Sequence, residues 1–190
     1  MTPDAPLPRT LLLGGARSGK STRAEQLLAR YEDVLYVATG GTRDGDEEWA
    51  QRVALHRDRR PAGWRTAETC GLEAVLADTA DPAPVLIDCL ALWLTSVMDE
   101  CGAWDDAVWA DGGEAEVQRR CAALAAAWAG TGRRVVAVSN EVGMGVVPAT
   151  PAGRRFRDTL GRLNMMVADA SERVLLVVAG QVLTVKPAVD

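Results

Sequence analysis

Residues 10–21 read TLLLGGARSGKS, and this stretch decides the fold. Three leucines, Leu11 to Leu13, are followed at once by Gly14, four residues, then Gly19, Lys20 and Ser21, which is the pattern G-x-x-x-x-G-K-[ST]. An apolar run closed by such a loop describes a buried strand delivering a phosphate cradle. Gly14, Gly15, Ala16, Arg17, Ser18, Gly19, Lys20 and Ser21 are the expected nucleotide-binding loop. Its backbone N–H groups would face the phosphates, Lys20 would reach the β and γ groups, and the Ser21 hydroxyl would hold Mg²⁺. The next residues form an amphipathic helix with Ala24, Leu27, Leu28 and Tyr31 on one face. Of the 21 basic residues only Lys20 and Lys186 are lysine, so a lysine in the loop is a specific choice of a point charge over a guanidinium fork.

The 190 residues suit one domain with a substantial core. Residues 1–9, with three prolines, read as a flexible lead-in, and 10–190 as the nucleotide-binding domain. A net charge of −5, with both signs mixed along the chain, argues against nucleic acid as a partner. Cys70, Cys89, Cys101 and Cys121 have no C-x-x-C spacing and read as packing residues of a reduced protein. No apolar run approaches the roughly 18 to 20 residues of a membrane span. The first residues lack the order of a signal peptide. A cytoplasmic location is the expectation.

After the first helix, Val34–Ala38 predicts a second strand, ended by Thr39, Gly40 and Gly41. Ligands of open α/β sheets bind beyond the carboxyl ends of strands, so Thr39 and Gly40 are either nucleotide neighbours or a plain turn. Asp46 to Arg59 predicts a helix with acidic residues in its first turn and arginines in its last. It carries His56, the sole histidine, followed by Arg57, Asp58, Arg59 and Arg60. Two readings stay open on these residues. The histidine sits at the edge of the core, or it is an imidazole among phosphate-binding guanidinium groups, held neutral and able to act as a nucleophile.

Trp64–Ala67 predicts a short third strand with Glu68 at its end, and Leu72–Ala77 a short helix. Val85–Cys89, VLIDC, predicts a strand ending in an acidic residue, Asp88, placed to orient Mg²⁺. An apolar helix over Leu90–Met98 leads into an irregular excursion, Asp99–Gly113, whose Trp104 and Trp109 are expected to cover the core. Glu114–Ala129 predicts a helix burying Val117, Cys121, Leu124 and Trp128, and Val135–Ser139 a strand. The glycines of Asn140–Pro148 suggest backbone close to a ligand or another subunit. Thr150 caps a helix with Pro151 at its first position and a stripe of Phe156, Leu160, Leu163, Val167 and Ala170. Arg154, Arg155, Arg157 and Arg162 read as its solvated face. Val174–Ala179 and Val182–Val185 predict an edge hairpin. Strands alternating with helices give an α/β fold: a mostly parallel sheet with helices on both faces and an antiparallel edge strand. On the residues alone, a small-molecule kinase and a GTP-dependent switch both remain open.

Five blocks, GGARSGKS at 14–21, LHRDRRPAGWRTAE at 55–68, VLIDCLALWLT at 85–95, SNEVGMGVVP at 139–148 and FRDTLGRLN at 156–164, resemble in the same order the bifunctional adenosylcobinamide kinase and adenosylcobinamide-phosphate guanylyltransferase family of cobalamin biosynthesis. The resemblance implies a P-loop NTPase, RecA-like fold and two reactions. A nucleoside triphosphate, ATP or GTP, phosphorylates adenosylcobinamide. GMP then passes from GTP, through a GMP-histidine, to adenosylcobinamide phosphate, giving adenosylcobinamide-GDP. Carried over by position, His56 is the guanylylated residue and, with Lys20, catalytic; residues 14–21, Thr39, Gly40, Arg57, Asp58, Arg59, Arg60, Glu68 and Asp88 contact the nucleotide, and Ser21 and Asp88 hold Mg²⁺. The partners implied are the corrinoid substrate and further copies of the chain, up to a trimer. Two departures stand out: Leu55 where many members have a second histidine, and Met165 where many have glutamine.

Overall fold

The computed structural model describes residues 9–41 and 60–187. The predicted helix over 46–59, with His56, Arg57, Asp58 and Arg59, lies outside the described residues, as do residues 1–8.

Seven strands form one sheet in the order β3-β2-β4-β5-β1-β6-β7. They are β1 (Thr10–Gly14), β2 (Leu35–Ala38), β3 (Arg65–Glu68), β4 (Val85–Asp88), β5 (Val135–Asn140), β6 (Arg173–Val178) and β7 (Gln181–Lys186). All neighbours are parallel except β6 and β7, which form the expected antiparallel hairpin at the edge. The central strands read as continuous apolar runs because both their faces are covered: Leu11, Leu12, Val37, Ile87 and residues 135–138 are wholly buried. β5 stands between the loop-bearing β1 and the Asp88-bearing β4, a mostly parallel P-loop sheet of RecA-like order.

The helices are α1 (Lys20–Leu28), α2 (Leu72–Ala77), α3 (Leu90–Glu100), α4 (Glu114–Gly130) and α5 (Pro151–Asp169). α4 packs on α2, α3 and α5, while α1 lies on β1, β4 and β5. Burying a large apolar side chain is worth roughly 1.5–3 kcal/mol, so the row of Val117, Cys121, Leu124 and Trp128 fixes α4 firmly. The buried indoles also satisfy their N–H groups: Trp128 donates to Ser171 Oγ at 3.0 Å and Trp93 to the Cys70 carbonyl at 3.0 Å. As predicted, Thr150 caps α5, accepting from the Gly153 N–H at 3.1 Å, and Pro151 occupies its first turn.

Two regions differ from the sequence reading. Within the excursion, Asp106–Val108 forms a helical turn capped by Asp105, and Trp109–Gly113 a wider turn. The agent is Arg155, expected on a solvated face. Its guanidinium pairs with Asp106, stacks 5.3 Å from the centre of the Trp109 ring and points at the carbonyls of residues 103–105. A charge read as surface decoration thus organises the excursion. Trp104 and Trp109 pack partly buried against the core, as anticipated. Second, Arg9, placed by sequence in the lead-in, is anchored: its Nε donates to Glu172 Oε1 at 2.9 Å and Nη1 to the Trp128 carbonyl at 3.3 Å.

The amino ends of the parallel strands are closed by ion pairs. Arg65 donates to Asp33 at 2.9 Å and to Asp81 at 3.0 Å, and Asp81 also faces Arg133 at 3.1 Å. The Arg133 side chain is almost wholly buried, and its Nη atoms also reach the carbonyls of Val75 and Ala83.

Candidate functional site

The carboxyl ends of the same strands gather the residues that the sequence singled out. The register sets Ala38 beside both Glu68 and Asp88, Asp88 beside Val138, and Gly14 beside Asn140. The loop after β1, the turn after β2, Glu68 and Asp88 are therefore neighbours along one rim.

The phosphate loop owes its shape to two glycines. A Cβ on Gly14 would lie 2.5 Å from Ser18 Oγ and 2.6 Å from the Val177 carbonyl, so only glycine fits. Gly19 has φ 94°, which glycine adopts without cost. The loop is held from both sides. The Glu141 N–H donates to the Gly14 carbonyl at 3.1 Å, and the Gly180 N–H, in the β6–β7 turn, donates to the Ser18 carbonyl at 2.9 Å. α1 begins at Lys20 with no side-chain cap and no acidic residue in its first turn. Its leading N–H groups and the positive end of its dipole face the loop uncompensated, a ready site for an anion.

Two polar groups carry spare capacity. Ser18 Oγ is buried and has no hydrogen-bond partner among the described residues. Lys20 is 8% exposed and its Nζ donates to the Gly15 carbonyl at 3.1 Å, one bond for three N–H donors among the described residues. Burial pushes the Lys20 pKa down, and the nearby Cys89 and Asp88 pull it back up. A phosphate group would satisfy the orphaned hydroxyl and the under-used ammonium together.

Asp88 is half-buried, and its Oδ2 accepts from the Tyr36 hydroxyl at 2.9 Å, leaving Oδ1 without a protein donor among the described residues. No group of three or more His, Cys, Asp or Glu side chains able to hold a metal occurs among the described residues. The hard oxygens of Ser21 and Asp88 are of the kind that suits Mg²⁺ bound by one or two protein ligands plus phosphate and water.

Thr39 is wholly buried and its hydroxyl is fully used: Oγ1 donates to the Cys89 carbonyl at 2.7 Å and accepts the Cys89 N–H at 2.9 Å. Its side chain ties β2 to the turn after β4, while Gly40 and Gly41 are the more open residues of that rim. Burial pushes the Cys89 thiol up to about 12, so it is no nucleophile here. Arg60 lies with its guanidinium 3.7 Å from the centre of the Tyr36 ring and donates to Thr66 Oγ1 at 2.9 Å. Glu68 stands exposed at the end of β3.

Sequence reasoning missed Tyr36, read there only as a strand residue. It also missed Asn164, which is 5% exposed and locks the end of β5. Asn164 Oδ1 accepts from Ser139 Oγ at 2.6 Å and its Nδ2 donates to the Asn140 carbonyl at 3.0 Å. Asparagine at a position of α5 that otherwise buries leucine and valine was the available signal. Between this helix and the loop that precedes it lies a groove of about 510 Å³, lined by Gly143, Gly145, Val147, Arg157, Gly161 and Met165 among others. The glycines noted in the sequence do form the wall of an open surface.

Residues 10–185 match the family model described as cobinamide kinase / cobinamide phosphate guanyltransferase. The chain is 41% identical over 179 residues to the bifunctional adenosylcobalamin biosynthesis protein CobU of Salmonella typhimurium, covering 90% of this chain and 95% of that protein. It is 43% identical over 175 residues to the bifunctional adenosylcobalamin biosynthesis protein CobP of Pseudomonas aeruginosa, covering 90% and 94%. Among solved structures, the P4 protein from bacteriophage phi6 in complex with ADP aligns at 16% identity with a TM-score of 0.36, over 93% of this chain and about half of that one (54%). That last likeness is too loose to add to the topology. By its family match and its curated relatives, the chain belongs to the cobinamide kinase / cobinamide phosphate guanyltransferase family.

Proposed function

We propose that this protein is a bifunctional enzyme of cobalamin biosynthesis that phosphorylates adenosylcobinamide with ATP or GTP and then transfers GMP from GTP to adenosylcobinamide phosphate. The observation that carries the reading is the phosphate loop, with its unpartnered Ser18 hydroxyl and under-used Lys20 beside Asp88, in a chain of this family.

In the first reaction the acceptor hydroxyl oxygen bonds to the γ-phosphorus, the bond to the β-phosphate oxygen breaks, and a nucleoside diphosphate leaves. In the second, an imidazole nitrogen of His56 bonds to the α-phosphorus of GTP and pyrophosphate departs. A phosphate oxygen of the acceptor then displaces the imidazole, giving adenosylcobinamide-GDP. The first reaction moves negative charge onto the β-phosphate of the leaving diphosphate and the second onto the departing β and γ groups, so loop amides and a Lys20 that face those groups stabilise both transition states. Mg²⁺, when bound, would neutralise charge on those oxygens; Ser21 and Asp88 would hold it. Arg57, Asp58, Arg59, Arg60, Glu68, Thr39 and Gly40 complete the nucleotide-contacting set of this proposal. For Thr39 the contribution is through the strand ends that it ties together. The corrinoid is the acceptor, and assembly with further copies of the chain, up to a trimer, belongs to the same reading.

The test is incubation with GTP labelled at the α-phosphate. An acid-labile covalent label that is absent from His56→Ala supports the proposal. No label from the unaltered protein, with γ-phosphate transfer intact, reduces it to a kinase alone.

A further inference from the structure

We propose that Tyr36 is a positioning residue of this site, its hydroxyl orienting the Asp88 carboxylate and its ring seating the Arg60 guanidinium that closes the segment begun by His56. The proposal rests on the nucleotide reading above and assigns a new residue within it.

The geometry follows from strand register. Tyr36 pairs with Leu86 of β4 on one side and with Thr66 of β3 on the other, so all three side chains share one face of the sheet. Asp88, two residues beyond Leu86, returns to that face, and the long Tyr36 side chain reaches it diagonally, at 2.9 Å. On the other side Arg60 bonds to Thr66 Oγ1 at 2.9 Å and its guanidinium lies over the Tyr36 ring, 3.7 Å from the ring centre. α1, which starts at Lys20, packs on β1, β4 and β5. One side chain therefore meets the carboxylate expected to face the metal through its hydroxyl, and the last arginine of the run that follows His56 through its ring.

A tyrosine is an uncommon choice here. The middle of a buried parallel strand favours Val, Ile or Leu, and a phenol that is 4% exposed must find a partner. Its partner is a functional carboxylate, and one oxygen of that carboxylate is left for the ligand. The planar guanidinium of Arg60 can lie flat on the ring, which a lysine ammonium cannot do.

The experiment uses the full chain and the variants Tyr36→Phe, Arg60→Lys, Arg60→Ala and Tyr36→Leu/Arg60→Ala, with Tyr36→Leu as the remaining corner of the cycle. Two quantities are measured: GTP affinity by calorimetry with and without Mg²⁺, and the single-turnover rate of covalent α-phosphate labelling. Tyr36→Phe keeps the ring and loses the donor. The gain in GTP affinity from Mg²⁺ should fall about 5-fold, and the Mg²⁺ concentration that gives half-maximal labelling should rise by a similar factor. Arg60→Lys should label about 10-fold more slowly, as slowly as Arg60→Ala. Adding Tyr36→Leu to Arg60→Ala should cost less than about 2-fold more, because the two act as one unit. An unchanged Mg²⁺ gain in Tyr36→Phe overturns the hydroxyl's role. Wild-type labelling by Arg60→Lys, or full additivity in the cycle, overturns the ring's role. If Tyr36→Leu does not fold, the Phe and Lys variants decide alone. Should the unaltered protein form no covalent label while binding GTP, the transferase reading fails, and the Mg²⁺ dependence in Tyr36→Phe still judges the hydroxyl's role separately.

Discussion

At the amino edge of the sheet Asp81 lies against Arg65 and Arg133, Asp33 against Arg65, and Glu172 against Arg9. Across the strands, at the carboxyl edge, Lys20 holds a single carbonyl and Ser18 Oγ holds nothing among the described residues. The same backbone therefore ends in charges that neutralise one another on one side and in donors held in reserve on the other. Apart from the Nε of Arg133, which is buried without a partner, the amino edge is built for stability. Among the described residues the carboxyl edge keeps polar capacity that an anion would complete, at some expense to the free protein.

That contrast is broken most sharply by Lys20→Met. Both transfer rates should fall by about 10²–10³-fold, the scale of losing one preorganised charge donor. The melting temperature of the nucleotide-free protein should hold or rise, because a buried ammonium with one bond has been removed. Kinetics and thermal denaturation of the same preparation check both. Asp81→Ala is the reverse case. It leaves the buried Arg133 with carbonyls alone and should cost about 2–3 kcal/mol by denaturant titration, with rates per folded molecule unchanged. Thr39→Val sits between the two, since its hydroxyl serves both the fold and the rim. Losing two buried hydrogen bonds should cost about 1–3 kcal/mol and also weaken GTP binding.

Acid sharpens the comparison further. Hydrogen bonding from Arg65 is the main cause holding Asp81 down to about 2, below the usual carboxylate value near 4. Its folded pKa is depressed, so its contribution is present above about pH 4 and is lost as pH falls toward about 2. The unaltered protein should lose more stability over that window than Asp81→Asn, measured by urea midpoints at each pH. Glu172→Gln, at an exposed pair with Arg9, should be the smallest effect, below about 1 kcal/mol, and should shrink with salt.

The carboxyl edge was far more legible in the sequence than the amino edge, for a physical reason. A phosphate loop needs Gly14, Gly19 and Lys20 at fixed spacing in one short segment, so its chemistry is written locally. The pairing of Asp81 with Arg65 and Arg133 joins the first residue of β3 to residues of two separate connections, and nothing in their spacing announces it. Strand order escaped the sequence for the same reason, since β5 enters between β1 and β4 only through packing. The excursion after α3 is held by Arg155 from a helix some fifty residues on, a contact to which periodicity is blind. Tyr36 looked like an ordinary strand residue because its partners, Asp88 and Arg60, become neighbours only when the strands pair.

The central claim is that one triphosphate pocket at the carboxyl edge serves both reactions. Its most direct test is inhibition by GDP, with GTP as sole donor, measured in parallel on γ-phosphate transfer to adenosylcobinamide and on α-phosphate labelling of the enzyme. A single pocket predicts competitive inhibition with one inhibition constant for both. Two distinct constants, or inhibition of one transfer that leaves the other untouched, would contradict it.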